Sequence, residues 1–525
     1  SPPCASLNTV FYGYARQRIK TKGKISLLAK YKAMERQVTL VVVDSRDAVN
    51  ILGMDVFTIF GFTVQDAFVI QTSALPKEVK NVIDLNSEVF SEQLGKCKFF
   101  EAHLQLKKDA TPKFFKARPV PLAVKDKVKK EIDRLVDLDV LTPVSTSAWA
   151  TPVVIVKKKD GKIRMCGDFK STVNAQLMVE QFPIPRAEEL FQKLAGGQRF
   201  SKIDLRDAYL QIPLDEESAN LLVINTPFGL YRYNRLPFGV ASAAAIFQRC
   251  LHTLTAQVKG SANYLDDIVV TGESEEEHLQ NLNLLLKTLN EWGLRVNLDK
   301  CDFFKEQITY LGHVLDSSGI RPTGENSTAI QQLPVPVNLQ QLQSFLGKIN
   351  YYGKFIKNMA EIAAPLNALR KKGVKWHWSA DCDKAFRRLK ENLMQAVKLE
   401  HFLPDRTTII AVDASEYGIG AVLSQKDAKG VERPIACVSK TLNVHQKNYS
   451  QIEKEALAIV YGVRKFNEYL YGSKFIIITD HKPLVSLFSP HKRIPDNTAR
   501  KMQRWALFLS DYSYSCLLYT SDAAD

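Results

Sequence analysis

The chain lacks most of what would mark a disulfide-stapled, zinc-bound or membrane-spanning protein. Its eight cysteines (Cys4, Cys97, Cys166, Cys250, Cys301, Cys382, Cys437 and Cys516) are scattered through 525 residues with no CxxC or CxxH spacing. That excludes a disulfide framework and the common zinc modules, and it fits a reducing compartment. No signal peptide opens the chain and no apolar run is long enough to cross a bilayer, so a membrane partner is not expected. Internal repeats and low-complexity tracts are absent too. An initiator methionine is also missing: the chain begins at Ser1 and is expected to be a fragment or a processed product. Acid is in short supply, 56 Asp and Glu against 71 Lys and Arg, for a net charge of +15. An excess of that sign and size suits a polyanionic partner, whose phosphates would supply a salt-sensitive attraction. With 45% hydrophobic and 24% charged residues the composition is globular, and the length allows several domains, each with its own core.

Residues 1–61 read as strand-rich through KGKISLLAKY and VTLVVVDS, and 62–100 as a linker with short helical pieces. The proline-broken, basic PKFFKARPVPL precedes a helix over VKDKVKKEIDRLVDLDVL, whose Val128, Ile132, Leu135 and Val136 share one face,. Strands in TPVVIVKKKDGKIRMCGDF open a mixed α/β region reaching about Arg321. Helical signals dominate from Pro322 to Lys398, and strand, helix and strand return after His401.

What is most informative is a cluster of acids. Asp266 and Asp267 sit in SANYLDDIVVTG, where β-branched and apolar flanks predict a strand–turn–strand with both carboxylates at its tip. Asp204 closes another strand-like run, RFSKID. Three carboxylates converging from two strands suit a pair of divalent metals that clamp the attacking and leaving oxygens of a phosphoryl displacement. Mg²⁺ borrows ligands from substrate phosphates, so a few aspartates suffice. A lone Asp-Asp pair more often marks a solvated turn; the flanks and neighbouring motifs set this one apart.

Those motifs follow in order: VKKKDGKIRMCGDFK, KIDLRDAYLQIPL, YRYNRLPFGVASAAAIFQR, NYLDDIVV and YLGHVLDSSGI. The series resembles the reverse transcriptase of gypsy-type long-terminal-repeat retrotransposons over most of the chain. The resemblance implies a right-hand polymerase of fingers, palm and thumb, α/β and α+β in class, followed by a ribonuclease H-like domain. It implies that Asp204, Asp266 and Asp267 hold Mg²⁺ (with Mn²⁺ as a substitute). Lys158 and Arg164 match residues that bind the incoming triphosphate; as residues alone they could equally edge a solvated hairpin. Tyr209 matches the aromatic gate against a ribose 2′-OH, or serves in core packing, or both. Phe238 matches a contact to the templating pair, with core filler nearly as good a reading. Tyr310-Leu311-Gly312 matches the hairpin that grips the primer. One departure stands out: Ser242-Ala243-Ala244-Ala245 replaces the family's Asn-Ala-Pro-Ala, and the loss of a proline is expected to loosen a local turn.

A second acidic set follows. Asp413 ends TTIIAVD, Glu455 lies in EKEALAIV and Asp480 ends FIIITD. Two strand-end acids plus one from a helix again suit two-metal phosphodiester hydrolysis, although Asp413 alone could be a turn residue. DASEYGIGAVLSQ and YSQIEKEALAIV resemble ribonuclease H of the same elements, which selects Glu455 and leaves Glu453 as a solvated neighbour. The family's fourth acid, in an Ala-Asp-Ala-Leu-Ser-Arg-like segment, does not occur; Asp511 precedes its expected place. The domain is therefore expected to be incomplete and its cleavage impaired. Residues 516–525, CLLYTSDAAD, resemble the translation of a transposase end sequence with its library-preparation adapter, and are set aside as a scar. At the other end ILGMDVF resembles the close of a retroviral-type aspartic protease. No catalytic Asp-[Ser/Thr]-Gly occurs in 1–61, and Asp44-Ser45-Arg46 does not replace it.

The expected organisation is thus a partial protease (1–61), linker (62–100), fingers and palm (101–321), thumb and connecting helices (322–398), ribonuclease H-like domain (399–515) and scar (516–525). The expected partners are an RNA or DNA template–primer and dNTPs, in the cytoplasm and within the element's virus-like particles. An RNA-dependent RNA polymerase is a rival reading, disfavoured by Tyr209 and the nuclease motifs; a catalytically inactive nucleic-acid-binding relic is another.

Overall fold

The computed structural model describes residues 11–12, 18–19, 21–31, 34–43, 75–157, 163–489 and 500–519. They belong to two compact units, Ser1–Asn81 and Val82–Asp525. In the first unit β1 (Thr21–Tyr31) and β2 (Met34–Val43) form an antiparallel hairpin, in register from Tyr31↔Met34 to Gly23↔Val42, with a shift before Thr21↔Val43. The β-branched run VTLVVV favours a pleated strand. ILGMDVF and Asp44-Ser45-Arg46 lie outside the described residues.

The second unit opens on residues that the sequence suggests are linker. Lys96 N–H donates to the Gly293 carbonyl at 2.9 Å, Cys97 N–H to that of Gln211 at 2.8 Å, and Val296 N–H to that of Val89 at 2.9 Å. Residues 82–100 are therefore sewn into this unit by main-chain bonds, which amphipathicity alone does not reveal. Helix α1 (Leu122–Asp137) buries Val128, Ile132 and Leu135 of the face its periodicity indicates, while Val136 of that face is only half-buried,. After it come β3 (Leu141–Val144), β4 (Thr151–Lys157), β5 (Ile163–Gly167), β6 (Arg199–Asp204), β7 (Val223–Thr226) and β8 (Gly229–Tyr233). Five of these strands make one sheet in the order β3-β8-β7-β4-β5.

Strand β6 belongs to another sheet. Beyond helix α2 (Ala243–Thr255) run β9 (Ser261–Tyr264), β10 (Asp267–Gly272), helix α3 (Glu275–Glu291) and β11 (Asp302–Lys305). The order β9-β10-β6-β11 is antiparallel throughout. Gly272 lets α3 start hard against β10: a Cβ there would lie 2.3 Å from the His278 nitrogen. A small sheet follows, β12 (Gln307–Tyr310), β13 (His313–Asp316) and β14 (Gly319–Pro322), and then helices including α4 (Leu339–Tyr351) and α5 (Ala380–Met394). One apolar cluster joins these parts through Phe200, Tyr310, Leu315, Ile349 and Phe386.

The last part has its own core. Strands β15 (Thr408–Ala414), β16 (Gly418–Lys426) and β17 (Glu432–Thr441) precede helix α6 (Gln451–Lys465), β18 (Lys474–Thr479) and β19 (Ser513–Leu518). The order is β17-β16-β15-β18-β19, with β15–β18 and β18–β19 parallel. Ile410, Val412, Ile419, Ile459 and Phe475 fill the space under α6. Strand β19 runs through Cys516–Leu518, into the segment that the sequence reading sets aside. The seven described cysteines are all free. Among the described residues no helix is long and apolar enough to cross a membrane.

Candidate active sites

The register of β6 against β10 builds the first site. Asp267 pairs with Asp204 across the two strands and with Tyr264 on its other side. Leu265 and Asp266 thus form the two-residue turn between β9 and β10. Leu265 takes φ +53°, a left-handed conformation that costs a branched side chain on the order of 1–2 kcal/mol. Gln248 of α2, buried, holds the turn in place. Its Oε1 accepts the Leu265 N–H at 2.7 Å, and its Nε2 donates to the Asn263 carbonyl at 3.3 Å. Sequence reasoning missed this residue, although it quoted the motif containing it. The Asp204 main chain is fixed as well, its N–H on Cys301 Sγ at 3.4 Å and its carbonyl accepting from Asn297 N–H at 2.8 Å.

Burial raises the Asp204 carboxyl above its ordinary range; Lys300 opposes the shift, and the Asp266 and Asp267 charges add to it,. Two lysines balance the cluster: Lys202 Nζ lies 2.9 Å from Asp267 Oδ1, and Lys300 Nζ 3.7 Å from Asp204 Oδ1. Asp204 and Asp267 thus face each other at strand ends, with only Asp266 at the tip of the turn, where the sequence places both carboxylates of the pair.

Beside them the expected nucleotide residues form a wall. The Tyr209 ring packs 4.9 Å from Phe238 and 4.8 Å from Phe247, centroid to centroid. Burial, and next the Asp266 charge, push its phenol upward. The Arg164 guanidinium lies 4.9 Å from the centre of the Phe238 ring, a cation–π contact that orients it. So Arg164, Phe238, Tyr209 and Asp266 are linked in one row. Lys158 lies outside the described residues.

The Tyr310-Leu311-Gly312 turn is tied to both sides. Tyr310 O–H donates to the Asp267 carbonyl at 3.5 Å. The Tyr351 and Tyr352 hydroxyls donate to the Leu311 and Gly312 carbonyls at 2.6 and 3.1 Å, and Asn326 Nδ2 donates to the Tyr352 oxygen at 2.9 Å. Ser242 corrects one expectation. Its buried hydroxyl accepts the Glu180 N–H at 3.1 Å, and its carbonyl takes the Ile246 N–H at 3.0 Å, so this position is tied rather than loose.

The second site lies at the C-terminal ends of β15 and β18. Ala411 pairs with Ile478 in parallel register, and two residues beyond that pair come Asp413 and Asp480. Glu455 projects from α6, only 2% exposed. Its Oε1 accepts from Gln451 Nε2 at 2.6 Å, while Oε2 is buried without a hydrogen-bond partner. Burial raises Glu455 to about 7, reinforced by Asp480 and then Asp413. Asn358, which precedes the Met359–Ile362 helix, donates Nδ2 to Asp413 Oδ2 at 3.2 Å. Glu453 is not merely solvated: it closes a capping box with Ser450 and pairs with Lys501 at 2.9 Å. The Ser-x-x-Glu spacing could have shown this.

Both donor sets fit divalent metals by chemistry. The first offers hard oxygens already drawing ammonium counter-charges; the second holds a buried carboxylate oxygen that nothing else satisfies. Among the described residues no three Asp, Glu, His or Cys side chains cluster tightly enough to hold an ion by themselves. That is compatible with Mg²⁺, which takes several ligands from water and substrate phosphates.

Comparison with known proteins agrees with this geometry. Residues 156–315 match the family model described as reverse transcriptase (RNA-dependent DNA polymerase). Residues 403–512 match the RNase H-like domain found in reverse transcriptase. The chain thus carries a reverse transcriptase domain followed by an RNase H-like domain. It is 34% identical over 414 residues to the retrovirus-related Pol polyprotein from transposon 297 of Drosophila melanogaster, covering 77% of this chain and 38% of that polyprotein. It is 31% identical over 451 residues to the transposon Tf2-3 polyprotein of Schizosaccharomyces pombe, covering 85% and 34%. The chain therefore spans just over a third of the curated relatives it matches. Among solved structures, a foamy viral protease–reverse transcriptase in complex with double-stranded DNA superposes with TM-score 0.76 at 21% identity, over 97% of this chain and 91% of that one. The fold is the right-hand polymerase with an RNase H-like domain.

Proposed function

We propose that the chain copies RNA into DNA as the reverse transcriptase of a gypsy-type long-terminal-repeat retrotransposon, adding dNTPs to a primer 3′-OH. In this reading its RNase H-like domain acts on the RNA strand of RNA–DNA hybrids, with cleavage impaired for want of a fourth acid. The observation that carries the reading is Asp204 paired with Asp267 across two strands, with Asp266 at the adjoining turn and Tyr209 beside it. The reading assigns 101–321 to fingers and palm, 322–398 to thumb and connecting helices, and 399–515 to the nuclease; 1–61 would be protease-derived and 62–100 a linker whose residues from Val82 on are bonded into the second unit. The likeness to transposon polyproteins supports a place in virus-like particles. The foamy viral neighbours, solved with double-stranded DNA and with an RNA/DNA hybrid, support the substrate class.

Asp204, Asp266 and Asp267 would hold Mg²⁺ or Mn²⁺, which when bound stabilises charge on the attacking and leaving oxygens. Arg164 and Lys158 neutralise the triphosphate as its leaving group gathers charge. Phe238 keeps the Arg164 fork in place. Tyr209 meets the sugar and excludes a 2′-OH. The turn at Leu311-Gly312 sets the primer end, fixed from one side by Tyr310 and from the other by Tyr351 and Tyr352. In the second domain Asp413, Glu455 and Asp480 would serve hydrolysis in the same manner.

The test is Mg²⁺-dependent extension of a labelled primer on an RNA template with dNTPs, comparing the parent chain with Asp266→Asn. Extension by the parent alone supports the reading. A folded parent that binds template–primer but never extends it would leave only nucleic-acid binding.

A further inference from the structure

A cleft of about 570 Å³ lies between α5 and the β15–β16 turn. One wall is a single face of α5, where Asp381, Lys384, Ala385 and Arg388 follow the i, i+3, i+4, i+7 spacing,. The other carries Tyr417 of the turn and Lys447, whose ammonium is 5.2 Å from the centre of the Tyr417 ring. Asn358 and Glu361 line both this cleft and a smaller cavity that contains Asp413 and Ser415. The cleft therefore adjoins the cavity at Asp413, one of the three acids of the second site.

Its charges are distinctive. Lys384, Arg388 and Lys447 are exposed, and among the described residues none has an ion-pair partner, whereas neighbouring Arg387 pairs with Asp383 at 2.9 Å. They face two carboxylates of the cleft, Asp381 and Glu361. Tyr417 keeps 49% of its surface exposed. Asp413, Glu455 and Asp480 repel any phosphate that approaches them, so a polyanion needs cations beside that cluster to stay there. Lys384 and Arg388, one helical turn apart, have Cβ atoms about 5–6 Å apart, so their long side chains can reach neighbouring phosphates of one strand. The exposed Tyr417 ring offers a face for a sugar or base.

We propose that this cleft seats the sugar–phosphate backbone of an RNA–DNA hybrid next to the nuclease carboxylates, with Lys384, Arg388 and Lys447 on phosphates and Tyr417 against a sugar or base. The inference rests on the reverse transcriptase–ribonuclease H reading and names residues that position its substrate.

The test uses the full chain with Lys384, Arg388 and Lys447 all changed to Ala, and Arg387→Ala as the control. Binding of a fluorescent RNA–DNA hybrid is measured in EDTA across a salt series; hybrid cleavage and primer extension are measured with Mg²⁺. The triple variant is expected to bind at least about 10-fold more weakly, with the log–log salt slope reduced by roughly 2–3. Its KM for cleavage should rise in step, while the extension rate at saturating template–primer stays at the parent's level. Arg387→Ala should match the parent throughout. Should the triple variant misfold, Lys447→Glu alone is expected to weaken binding and flatten the slope by about 1. Parent-like affinity and slope in a variant that still extends primers would overturn this inference alone. A parent chain that binds no hybrid would overturn it together with the reading beneath it.

Discussion

The two acidic sites of this chain use the same kinds of residue yet are balanced in opposite ways. In the polymerase domain the carboxylates are half-buried or exposed and face lysines, Lys202 on Asp267 and Lys300 near Asp204. In the RNase H-like domain Glu455 is buried, with no ion-pair partner among the described residues, and burial with two like charges raises it to about 7. A metal entering the first site competes with ammonium groups that can swing away. A metal entering the second competes with a proton. Equal sets of acids can thus respond to different solution variables, salt for one and pH for the other.

The largest test of that contrast is to remove one acid. Asp266→Asn is expected to lower primer extension by roughly 100- to 1000-fold and to leave hybrid cleavage intact; a parallel fall in cleavage would join the two sites. Second, the Mg²⁺ concentration for half-maximal hybrid cleavage should rise by up to about tenfold per pH unit as pH falls below about 7,. The sign follows from Glu455, which holds its proton below that pH and must lose it to bind a cation. Primer extension should show a much shallower dependence, and equal slopes for both activities would break the comparison.

Third, Gln248→Ala is expected to cut the extension rate by about 10-fold with little change in KM for dNTP, since the Leu265 N–H loses its acceptor and the turn relaxes,. Full activity would show that the strand register alone fixes Asp266. Fourth, Tyr209→Ala should lower discrimination against ribonucleotides by about 10-fold or more while dNTP use continues. An unchanged dNTP/NTP ratio would leave the ring only its packing against Phe238 and Phe247. The smallest effect is expected for Tyr352→Phe, which removes one hydroxyl from the Gly312 carbonyl. Its KM for template–primer should rise a few-fold, consistent with about 0.5–1.5 kcal/mol; a parent-like value would assign the grip to Tyr351.

The placement of the acids was legible in the sequence because each lies beside a strand end, in a tight turn or on a helix within a local pattern. Val128, Ile132 and Leu135 were readable for the same reason. What stayed hidden depends on residues far apart in the chain. Gln248 acts on a turn 17 residues away, Tyr351 on a carbonyl 40 away and Asn358 on Asp413 55 away; no periodicity encodes such pairings. The packing of 82–100 is not legible in the sequence because it joins main-chain groups, which every sequence has, and side chains about 200 residues away, Asn86 to Asn283 and Ser91 to Arg295. Glu453 was the avoidable omission, since its cap is written in four consecutive residues.

The pairing of Asp204 with Asp267 has one more consequence. Side chains alternate along a strand, so slipping β10 by a single residue against β6 would send Asp267 to the opposite face,. Such a chain would keep its composition and, because β10 is buried on both faces, much of its apolar burial, yet present the wrong carboxylate to its substrate. Catalysis therefore acts as an alignment mark: in a refolded population, the fraction of molecules able to extend a primer counts those whose central strands closed in the right frame.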